Sequence, residues 1–279
     1  MTSVTENAEL AGSAQKKYEA LLSYLKALDG KSAVAFSGGT DSALLAFAAS
    51  RANCGRSPAF TVWSPLLCAS DKKEILRFTE EYGIELVQII FDECALGDFC
   101  TNDSRRCYTC KAGRLAALEK EAKNRGVEWI LDGSNVDDLS DYRPGMEALR
   151  ECRSAVSPLL ECGFTKAEIR EISRQLGLPT AMKPASACLA SRVPTGVAIT
   201  LVLLETIEAG EEYLRSLLPK ETQLRLRYDG RCAKIETEGA YIALLEQNRA
   251  KICRHLAALG IARVVIDKEG YKMGGACRR

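Results

Sequence analysis

The sequence predicts an α/β protein, in which a parallel sheet covered by helices is followed by a smaller α+β domain. Four short apolar segments alternate with helix-length segments through the first half of the chain. Such alternation is typical of βαβ units, whose parallel strands are buried on both faces. Near the C-terminus, two alternating segments flank Asp229-Gly230, which favours a β-hairpin. A chain of 279 residues has room for one large domain and one small domain.

The elements of the larger domain follow from the periodicity of its apolar residues. Helical spacing predicts helices over residues 14–29, 41–52, 70–82 and 108–125. The apolar segments between them predict strands at Ala33–Phe36, Phe60–Trp63, Glu85–Ile90 and Trp129–Asp132. Ligands of such folds bind beyond the carboxyl ends of the strands. Gly38, Asp132 and Gly133 are therefore predicted to lie at the ligand-binding edge of the sheet.

The remaining elements belong to the end of the first domain and to the second. Thr165 and Glu168 have the spacing of a capping box and predict a helix to about Leu176. Pro179 and Pro184 then mark a break. Beyond it we predict helices over 197–218 and 240–259, and strands at Leu224–Tyr228, Cys232–Thr237 and Val264–Asp267. We place the boundary so that the domains are residues 1–188 and 189–279.

The composition limits the classes of function. With 38 basic and 37 acidic residues and a net charge of +1, the chain is not expected to bind nucleic acid. The first 15 residues lack an apolar leader and no run of 18 apolar residues occurs, which predicts a cytoplasmic protein without a membrane partner. The 12 cysteines are then predicted to be reduced. The single histidine, His255, excludes sites that need several histidines.

A Gly-rich string follows the first predicted strand and precedes a helix; its residues are Ser37, Gly38, Gly39, Thr40, Asp41 and Ser42. Glycines let backbone amides turn inward, hydroxyls donate hydrogen bonds, and a helix N-terminus adds positive charge. The string therefore predicts an anion site, with a plain strand-to-helix turn as the alternative. It has no Walker lysine, so it is not a Gly-Lys-Ser loop. Asp41 would repel phosphate unless it holds Mg²⁺.

This string resembles the PP-loop of the ATP pyrophosphatase superfamily, whose domain is adenine nucleotide alpha-hydrolase-like. Members of the superfamily cleave ATP between the α and β phosphates and adenylate an oxygen of the substrate. A nitrogen or sulfur nucleophile then displaces AMP. The resemblance implies that ATP and Mg²⁺ are cofactors, that residues 37–42 bind ATP, and that Asp41 is catalytic and holds the metal.

Three cysteines lie in contexts that suit chemistry. Cys107 and Cys110 fall at a predicted helix start beside basic residues, and both features favour thiolate over thiol. A buried pair of small side chains or half of a zinc site is the alternative. Cys188 follows the break at Pro184, in a segment that can face a cleft between domains. Its alternative is a plain core cysteine.

Five further strings indicate a particular family within this superfamily. They are Asp132–Gly145, Ser157–Glu161, Thr165–Arg170, Ala187–Arg192 and Gly270–Lys272. With these strings in this order over residues 15–275, the chain resembles the LarE family. These proteins are ATP-dependent sulfur transferases of nickel-pincer nucleotide cofactor synthesis. The resemblance implies a small-molecule substrate, pyridinium-3,5-biscarboxylic acid mononucleotide, whose carboxylates are adenylated and converted to thiocarboxylates.

The resemblance leaves two sulfur sources open. In one branch of the family the sulfur comes from the cysteine at the position of Cys188, which is left as dehydroalanine. In another branch three cysteines hold a [4Fe–4S] cluster that carries an extra sulfide. Cys107, Cys110 and Cys188 are all present here, and three thiolates leave the fourth iron open.

Two arginines mark a predicted substrate site in the second domain. Arg225 and Arg227 are two apart on a predicted strand, so both point to one face. Paired guanidiniums match a phosphate or carboxylate, although cross-strand ion pairs are the alternative. The resemblance places the substrate phosphate here, with Glu236 on the paired strand.

Three more residues complete the predicted substrate site. Ser191 and Arg192, at the end of the Cys188 string, are expected to contact AMP or the substrate. Lys272 matches a position at which the family usually carries arginine. A lysine keeps the charge but loses the planar fork of donors, so the two-pronged contact of an arginine is not expected there.

Two other functions remain open from the sequence. The same adenylation chemistry serves tRNA-thiolating enzymes, but balanced charge and the lack of an added RNA-binding module count against this. A non-catalytic nucleotide-binding or metal-binding protein on the same fold is the other alternative. Family members form trimers or hexamers, so the resemblance also implies a homo-oligomer.

Overall fold

A computed structural model describes residues 4–53, 56–139, 144–184, 187–219 and 222–271 of the chain. The chain divides into two compact units. The first comprises Met1–Ser64, Ala69–Phe91 and Cys107–Ala185, and the second comprises Pro65–Cys68, Asp92–Arg106 and Ser186–Arg279. The second unit thus takes up two short segments from the N-terminal half, which no sequence pattern indicated. The division into domains at residue 188 stays a prediction.

The first unit is built on a five-stranded parallel sheet. Its strands are β1 (Ser32–Ala35), β2 (Ala59–Trp63), β3 (Leu86–Ile90), β4 (Trp129–Leu131) and β5 (Ala155–Val156). Their spatial order is β3-β2-β1-β4-β5, and every neighbouring pair is parallel. The predicted α/β class is therefore confirmed. Strand β5 was not predicted, because two residues are too few to show a period.

Seven helices of the first unit are described. They are α1 (Val4–Ala27), α2 (Thr40–Ala52), α3 (Ala69–Glu81), α4 (Arg106–Arg125), α5 (Pro144–Glu151), α6 (Pro158–Glu161) and α7 (Lys166–Gln175). The predicted helices at 41–52, 70–82 and 108–125 agree with α2, α3 and α4 within two residues. Helix α1 begins ten residues before the predicted start at residue 14. Helices α5 and α6 were not predicted.

Helices cover the sheet, and their apolar faces form its core. Leu115 and Leu118 of α4 pack with Ala148 and Leu149 of α5 against side chains of the strands. Helix α2 is buried over almost its whole length, because small side chains let it pack closely against β1, α1 and α7. The loop that connects β1 to α2 is therefore held between two well-packed elements.

The second unit contains a three-stranded mixed sheet. Its elements are α8 (Leu201–Arg215), β6 (Leu224–Tyr228), β7 (Cys232–Thr237), α9 (Gly239–Gln247), α10 (Arg249–Ala258) and β8 (Arg263–Ile266). Strand β7 pairs antiparallel with β6 and parallel with β8. The hairpin at Asp229-Gly230 is observed, with both strands at their predicted bounds. The predicted helix over 240–259 is two helices that meet at Asn248.

None of the helices in the described ranges combines the length and the apolar character that crossing a lipid bilayer requires.

The capping box of α7 is present and joins α7 to α1. Thr165 accepts a hydrogen bond from the backbone of Glu168, whose carboxylate accepts one from the Thr165 backbone. The same carboxylate accepts hydrogen bonds from Ser13 Oγ at 2.5 Å and from Lys17 Nζ at 2.7 Å. Burial alone would raise the pKa of Glu168, but the donors from Lys17, Ser13 and Thr165 lower it to about 2.

The depressed pKa predicts a pH-dependent contribution of Glu168 to stability. Because the folded pKa lies below the unfolded one, the contribution is complete above about pH 4.5 and is lost as the pH falls towards about 2. We expect Glu168→Gln to lower the free energy of unfolding at pH 7 by about 3 kcal/mol. Urea unfolding at several pH values measures it. Glu19→Gln, an exposed change on α1, is the control and should cost less than about 0.5 kcal/mol. A pH-independent deficit in Glu168→Gln would contradict the assignment.

Candidate functional site

The first candidate site lies where the strand order of the parallel sheet reverses. After β1 the chain adds β2 and β3 on one side and then crosses to add β4 and β5 on the other. Strands β1 and β4 are therefore the neighbours whose connections leave in opposite directions. Such a switch point opens a crevice at the carboxyl ends of the strands, where ligands bind in open α/β sheets. Residues 37–42 follow β1 and Asp132 follows β4, so both predicted ligand-edge segments meet at this point.

Residues 37–42, which we call the PP-loop, form a tight turn. Gly38 has a φ of +74°, and a Cβ there would lie 2.7 Å from Ile75 Cγ1, so only glycine fits. Ser42 Oγ accepts a hydrogen bond from Ser37 N at 3.3 Å and lies 3.1 Å from Gly39 O. Gly39 is the N-cap of α2 and contributes no side-chain cap. Because the N-cap is a glycine, no N-cap side chain accepts hydrogen bonds from the first amides of α2. These amides can therefore donate to a bound anion.

The residues after β4 form the opposite wall of the crevice. A Cβ on Gly133 would lie 3.2 Å from Ser42 N, so this glycine permits the two loops to approach closely. Asp132 is buried and pairs with Lys111 Nζ at 2.7 Å. Burial alone would raise the pKa of Asp132, but Lys111 and hydrogen bonds from Ser134 lower it. Asp132 is therefore a carboxylate that holds its loop in place.

Two lysines reach the PP-loop from outside it. Lys183 Nζ donates to Gly38 O at 3.1 Å and pairs with Asp71 at 2.8 Å and with Glu74 at 2.7 Å. Burial alone would lower the pKa of Lys183, but the two carboxylates raise it, so the ammonium stays charged. Lys166, the first residue of α7, pairs with Asp41. Sequence reasoning missed both lysines, because each is more than 100 positions from the loop.

Asp41 has the features of a metal ligand. One carboxylate oxygen, Oδ2, contacts Lys166. The other, Oδ1, is buried and has no hydrogen-bond partner among the described residues. A buried carboxylate oxygen without a donor suits a cation, and Mg²⁺ is commonly held by one or two carboxylates together with substrate phosphates. The PP-loop residues therefore fit the Mg²⁺ that the sequence predicts.

Cys107 and Cys110 lie near the start of α4, as its second and fifth residues. Cys107 is exposed and Cys110 is partly buried, and their spacing of three residues places them on one side of the helix. Within either unit, the residues that the structure describes include no group of three or more His, Cys, Asp or Glu side chains arranged to hold a metal. Cys188 belongs to the other unit. The three-cysteine cluster stays a prediction.

The second candidate site, in the second unit, is the Cys188 loop, which we define as residues 187–192. Cys188 is exposed and precedes a short 3₁₀ turn, Leu189–Arg192. Its carbonyl accepts hydrogen bonds from Ser191 Oγ at 2.7 Å and from Arg192 Nη1 at 2.9 Å. The thiol is thus presented at the surface by a turn whose own side chains hold its backbone.

A buried ion pair anchors the Cys188 loop. Arg192 Nε and Nη2 meet the two carboxylate oxygens of Glu211 at 2.9 and 3.0 Å, and Glu211 also accepts Leu226 N at 2.9 Å. Burial alone would raise the pKa of Glu211, but the Arg192 guanidinium lowers it. All three Arg192 nitrogens have partners within the protein. The predicted contact of Arg192 with AMP or substrate stays a prediction, and the observed contacts are structural.

The predicted arginine pair lies on β6 beside the Cys188 loop. Arg225 is opposite Glu236 in the register, but Arg227 makes the ion pair with Glu236, at 2.8 Å. Arg227 Nη1 also donates to Ser191 O at 2.9 Å. Arg225 lies over the ring of Tyr271 at 5.2 Å, and burial together with the charge of Arg192 lowers its pKa. The cross-strand pair considered from the sequence is present, and phosphate binding stays a prediction. Lys272 lies outside the described residues.

A buried asparagine that the sequence did not indicate holds the chain beyond the Cys188 loop. Asn102 has a φ of +56°, a region that asparagine tolerates better than most residues. Its Nδ2 donates to Pro194 O and Val197 O, each at 2.8 Å. Its neighbour Arg106 donates to Ala190 O at 3.1 Å. Segment 92–106 therefore clamps the backbone on both sides of Arg192.

Comparison with known proteins found relatives that align with most of the chain. No family model matches the chain. The chain is 36% identical over 264 residues to an uncharacterized protein of Synechocystis sp. The aligned region covers 93% of this chain and 96% of that protein. The chain is 32% identical over 243 residues to the pyridinium-3,5-bisthiocarboxylic acid mononucleotide synthase of Lactiplantibacillus plantarum, covering 86% and 87%. An uncharacterized protein of Methanocaldococcus jannaschii is 27% identical over 239 residues, covering 86% and 90%.

The parallel sheet with its Gly-rich loop at the switch point defines a PP-loop protein. The 32% identity to the synthase, over most of both chains, shows to which family within this class the chain belongs. The chain belongs to the LarE family. The resemblance that the sequence strings indicated is confirmed, and the chain is a member of a family of enzymes.

The Asn102 clamp predicts a measurable change in backbone protection. Asn102→Gly keeps the positive φ but removes the donor to two carbonyls, which costs about 1–3 kcal/mol. We expect the amides of Gly196 and Ile199, which donate to Asn102 O and Cys100 O, to exchange with deuterium at least about fivefold faster. Asn124→Gly, an exposed change on α4, is the control and should leave both amides unchanged. Unaltered exchange in Asn102→Gly would rule out the clamp.

Proposed function

We propose that the protein is an ATP-dependent sulfur transferase that converts the carboxylates of pyridinium-3,5-biscarboxylic acid mononucleotide to thiocarboxylates by way of acyl adenylates. The name of the Lactiplantibacillus relative describes the bisthiocarboxylic acid product of such a conversion. The observation that carries the proposal is the PP-loop at the switch point, with the buried, unpartnered Oδ1 of Asp41. Together they supply an anion site and a cation ligand within one turn.

The PP-loop binds the phosphates of ATP in this proposal. The backbone amides of Thr40, Asp41 and Ser42, at the start of α2, and the hydroxyl of Ser37 donate to phosphate oxygens. The hydroxyl of Thr40 donates to Thr180 O at 3.0 Å and that of Ser42 to Gly39 O at 3.1 Å, so these two side chains hold the turn itself. Asp41 holds Mg²⁺, which would neutralise charge on the departing pyrophosphate when bound. Gly38 and Gly39 leave room for the phosphates, because neither presents a side chain to the turn. The substrate carboxylate attacks the α-phosphorus, and pyrophosphate leaves with the bonding electron pair.

The substrate phosphate binds in the second unit in this proposal. Arg225, Arg227 and Lys272 supply positive charge to the phosphate. Arg227 is already oriented by Glu236 at 2.8 Å, so its guanidinium loses little freedom on binding. Ser191 and Arg192 contact AMP or substrate as the sequence predicts.

Sulfur reaches the acyl adenylate by one of two routes. In the first, the Cys188 thiolate attacks the acyl carbon and AMP leaves, which gives a thioester. Loss of the Cys188 α-proton then breaks the Cβ–S bond, so the thiocarboxylate departs and dehydroalanine remains. In the second, Cys107, Cys110 and Cys188 hold a [4Fe–4S] cluster, which would supply a bound sulfide. The exposure of Cys188, directly before a well-held turn, supports its direct involvement in both routes.

The family resemblance further supports a homo-oligomer, a trimer or a hexamer, as the working form. Sedimentation of the purified protein measures the number of chains.

Asp41 provides the first test of the proposed function. Because Asp41→Asn keeps the shape but removes the charge that holds Mg²⁺, we expect ATP-dependent release of AMP and pyrophosphate to fall by about 100-fold or more. Chromatography of the nucleotides measures both products. Asp29→Asn, an exposed change before β1, is the matched control and should retain full activity. Retained ATP without pyrophosphate release in the unaltered protein would instead favour a nucleotide-binding protein.

Intact mass after turnover tests the route of the sulfur. With ATP, Mg²⁺ and substrate, the first route predicts a loss of about 34 Da, the mass of H₂S, localised to Cys188. The second route predicts no mass loss, together with iron and sulfide in protein purified without oxygen. In either case Cys188→Ser should form AMP but no thiocarboxylate, whereas Cys253→Ser should behave as the unaltered protein. Thiocarboxylate formation by Cys188→Ser would exclude both routes.

A further inference from the structure

Lys183 holds one backbone carbonyl of the PP-loop. Its Nζ donates to Gly38 O at 3.1 Å and also contacts Asp71 Oδ1 at 2.8 Å and Glu74 Oε2 at 2.7 Å. An ammonium group carries three N–H donors, and these three acceptors use all of them. Lys183 therefore cannot donate to a phosphate without giving up one of its contacts. Its place beside the PP-loop suits a role other than that of a phosphate ligand.

The peptide group between Gly38 and Gly39 shows what this contact achieves. The peptide is planar and trans, so its C=O and N–H point in opposite directions. A cation that fixes the Gly38 carbonyl on one side therefore turns the Gly39 amide to the other side. In the part of the chain that the structure describes, the Gly39 amide has no hydrogen-bond partner. Gly39 is the N-cap of α2, so its amide adjoins those at the start of that helix and extends the same anion site.

The two glycines impose this orientation only weakly by themselves. Gly38 has a φ of +74° and Gly39 a φ of −81°, and residues without a side chain populate many backbone conformations. Rotation of the peptide plane between them would point the Gly38 carbonyl, with its partial negative charge, towards a bound phosphate. The contact with Lys183 opposes this rotation, because a hydrogen bond from a charged donor is stronger than one from a neutral donor.

The chain around Lys183 is fixed in turn by two helices of the first unit. Arg170 of α7 donates from Nη1 to Ala181 O at 2.9 Å and from Nη2 to Lys183 O at 2.8 Å. From α2, Thr40 Oγ1 donates to Thr180 O at 3.0 Å. The backbone of Lys183 is thus tied to α7 and α2, while its ammonium is tied to carboxylates of α3. A side chain held at both ends can fix the geometry of a neighbouring loop.

We propose that Lys183 is a positioning residue of the PP-loop, which turns the Gly39 amide towards the pyrophosphate portion of ATP by holding the Gly38 carbonyl. The inference rests on the proposed binding of the ATP phosphates at the PP-loop and deepens it. In a Gly-Lys-Ser loop the lysine reaches the phosphates itself. Here the ammonium stays bound to protein and acts through a peptide group.

Calorimetric titration of the full chain with Mg²⁺ and inorganic pyrophosphate tests this role. Lys183→Met alone would strand the Asp71 carboxylate, whose side chain is only 15% exposed, so Lys183→Met is combined with Asp71→Asn. One ammonium and two carboxylates give this cluster a net charge of −1, and in the double variant the remaining Glu74 keeps that charge. We expect pyrophosphate to bind at least about tenfold more weakly, whereas adenosine, which has no phosphate, should bind within about twofold of the unaltered protein.

Asp71→Asn alone is the matched control, because Lys183 keeps its contacts with Gly38 and Glu74. Since one negative charge beside the site is lost, this variant should bind pyrophosphate at least as tightly as the unaltered protein. Equal pyrophosphate affinity in the double variant and the unaltered protein would overturn the inference, because their cluster charges are the same and only the contact with Gly38 differs. An equal loss of adenosine affinity would also overturn it, because Lys183 would then support the whole domain.

A second measurement needs no variant. In nuclear magnetic resonance spectra of the unaltered protein labelled with ¹⁵N-glycine, Mg²⁺ and pyrophosphate should shift the Gly39 amide proton downfield and slow its exchange with water at least about fivefold. A Gly39 amide that stays unchanged at saturation overturns the inference even if the double variant does not fold. Failure of the proposed function has a different signature, since the unaltered protein itself would then bind no pyrophosphate.

Discussion

The parallel pairing of β1 with β4 is the constraint on which the first unit depends. Register pairs from Ser32–Trp129 to Val34–Leu131 bring the ends of the two strands level at one edge of the sheet. The PP-loop and the Asp132 loop therefore leave the sheet side by side, and Gly133 lets them approach to within van der Waals contact. Because α2 is buried along most of its length, the loop at its N-terminus is held rigidly. A rigid turn of amides is what gives an anion site its affinity.

The second unit depends on a buried charge pair in a comparable way. Removing Arg192 and Glu211 from water costs several kcal/mol for each ion, and the two-pronged contact with the added Leu226 amide offsets that cost. Such a pair contributes little net stability but specifies one arrangement, because any slip of the loop leaves a charge unpaired. We infer that its role is to fix the orientation of the turn that presents Cys188.

The sequence predicted the sheet, the hairpin, the capping box and the PP-loop because each is encoded by residues close together in the chain. It did not predict β5, which is too short to show a period, or the division of residues 240–259 at Asn248, which interrupts no apolar pattern. The side chains that hold the loops in place were not predicted either. Lys166, Lys183 and Asn102 meet their partners across 91 to 145 positions, and no local spacing encodes such contacts.

The sequence by itself determined the chemistry available: a Gly-rich anion loop, a carboxylate for a cation, and cysteines with basic neighbours. These features depend on residue type and short spacing, which are visible in one dimension. Only the tertiary structure decided which charges neutralise one another. It assigned Arg192 to Glu211 and Arg227 to Glu236, it left one oxygen of Asp41 buried without a donor, and it brought residues 65–68 to the Cys188 loop. Burial makes the ion pairs obligatory, because the free-energy cost of an unpaired buried charge is comparable to the whole net stability of a folded domain.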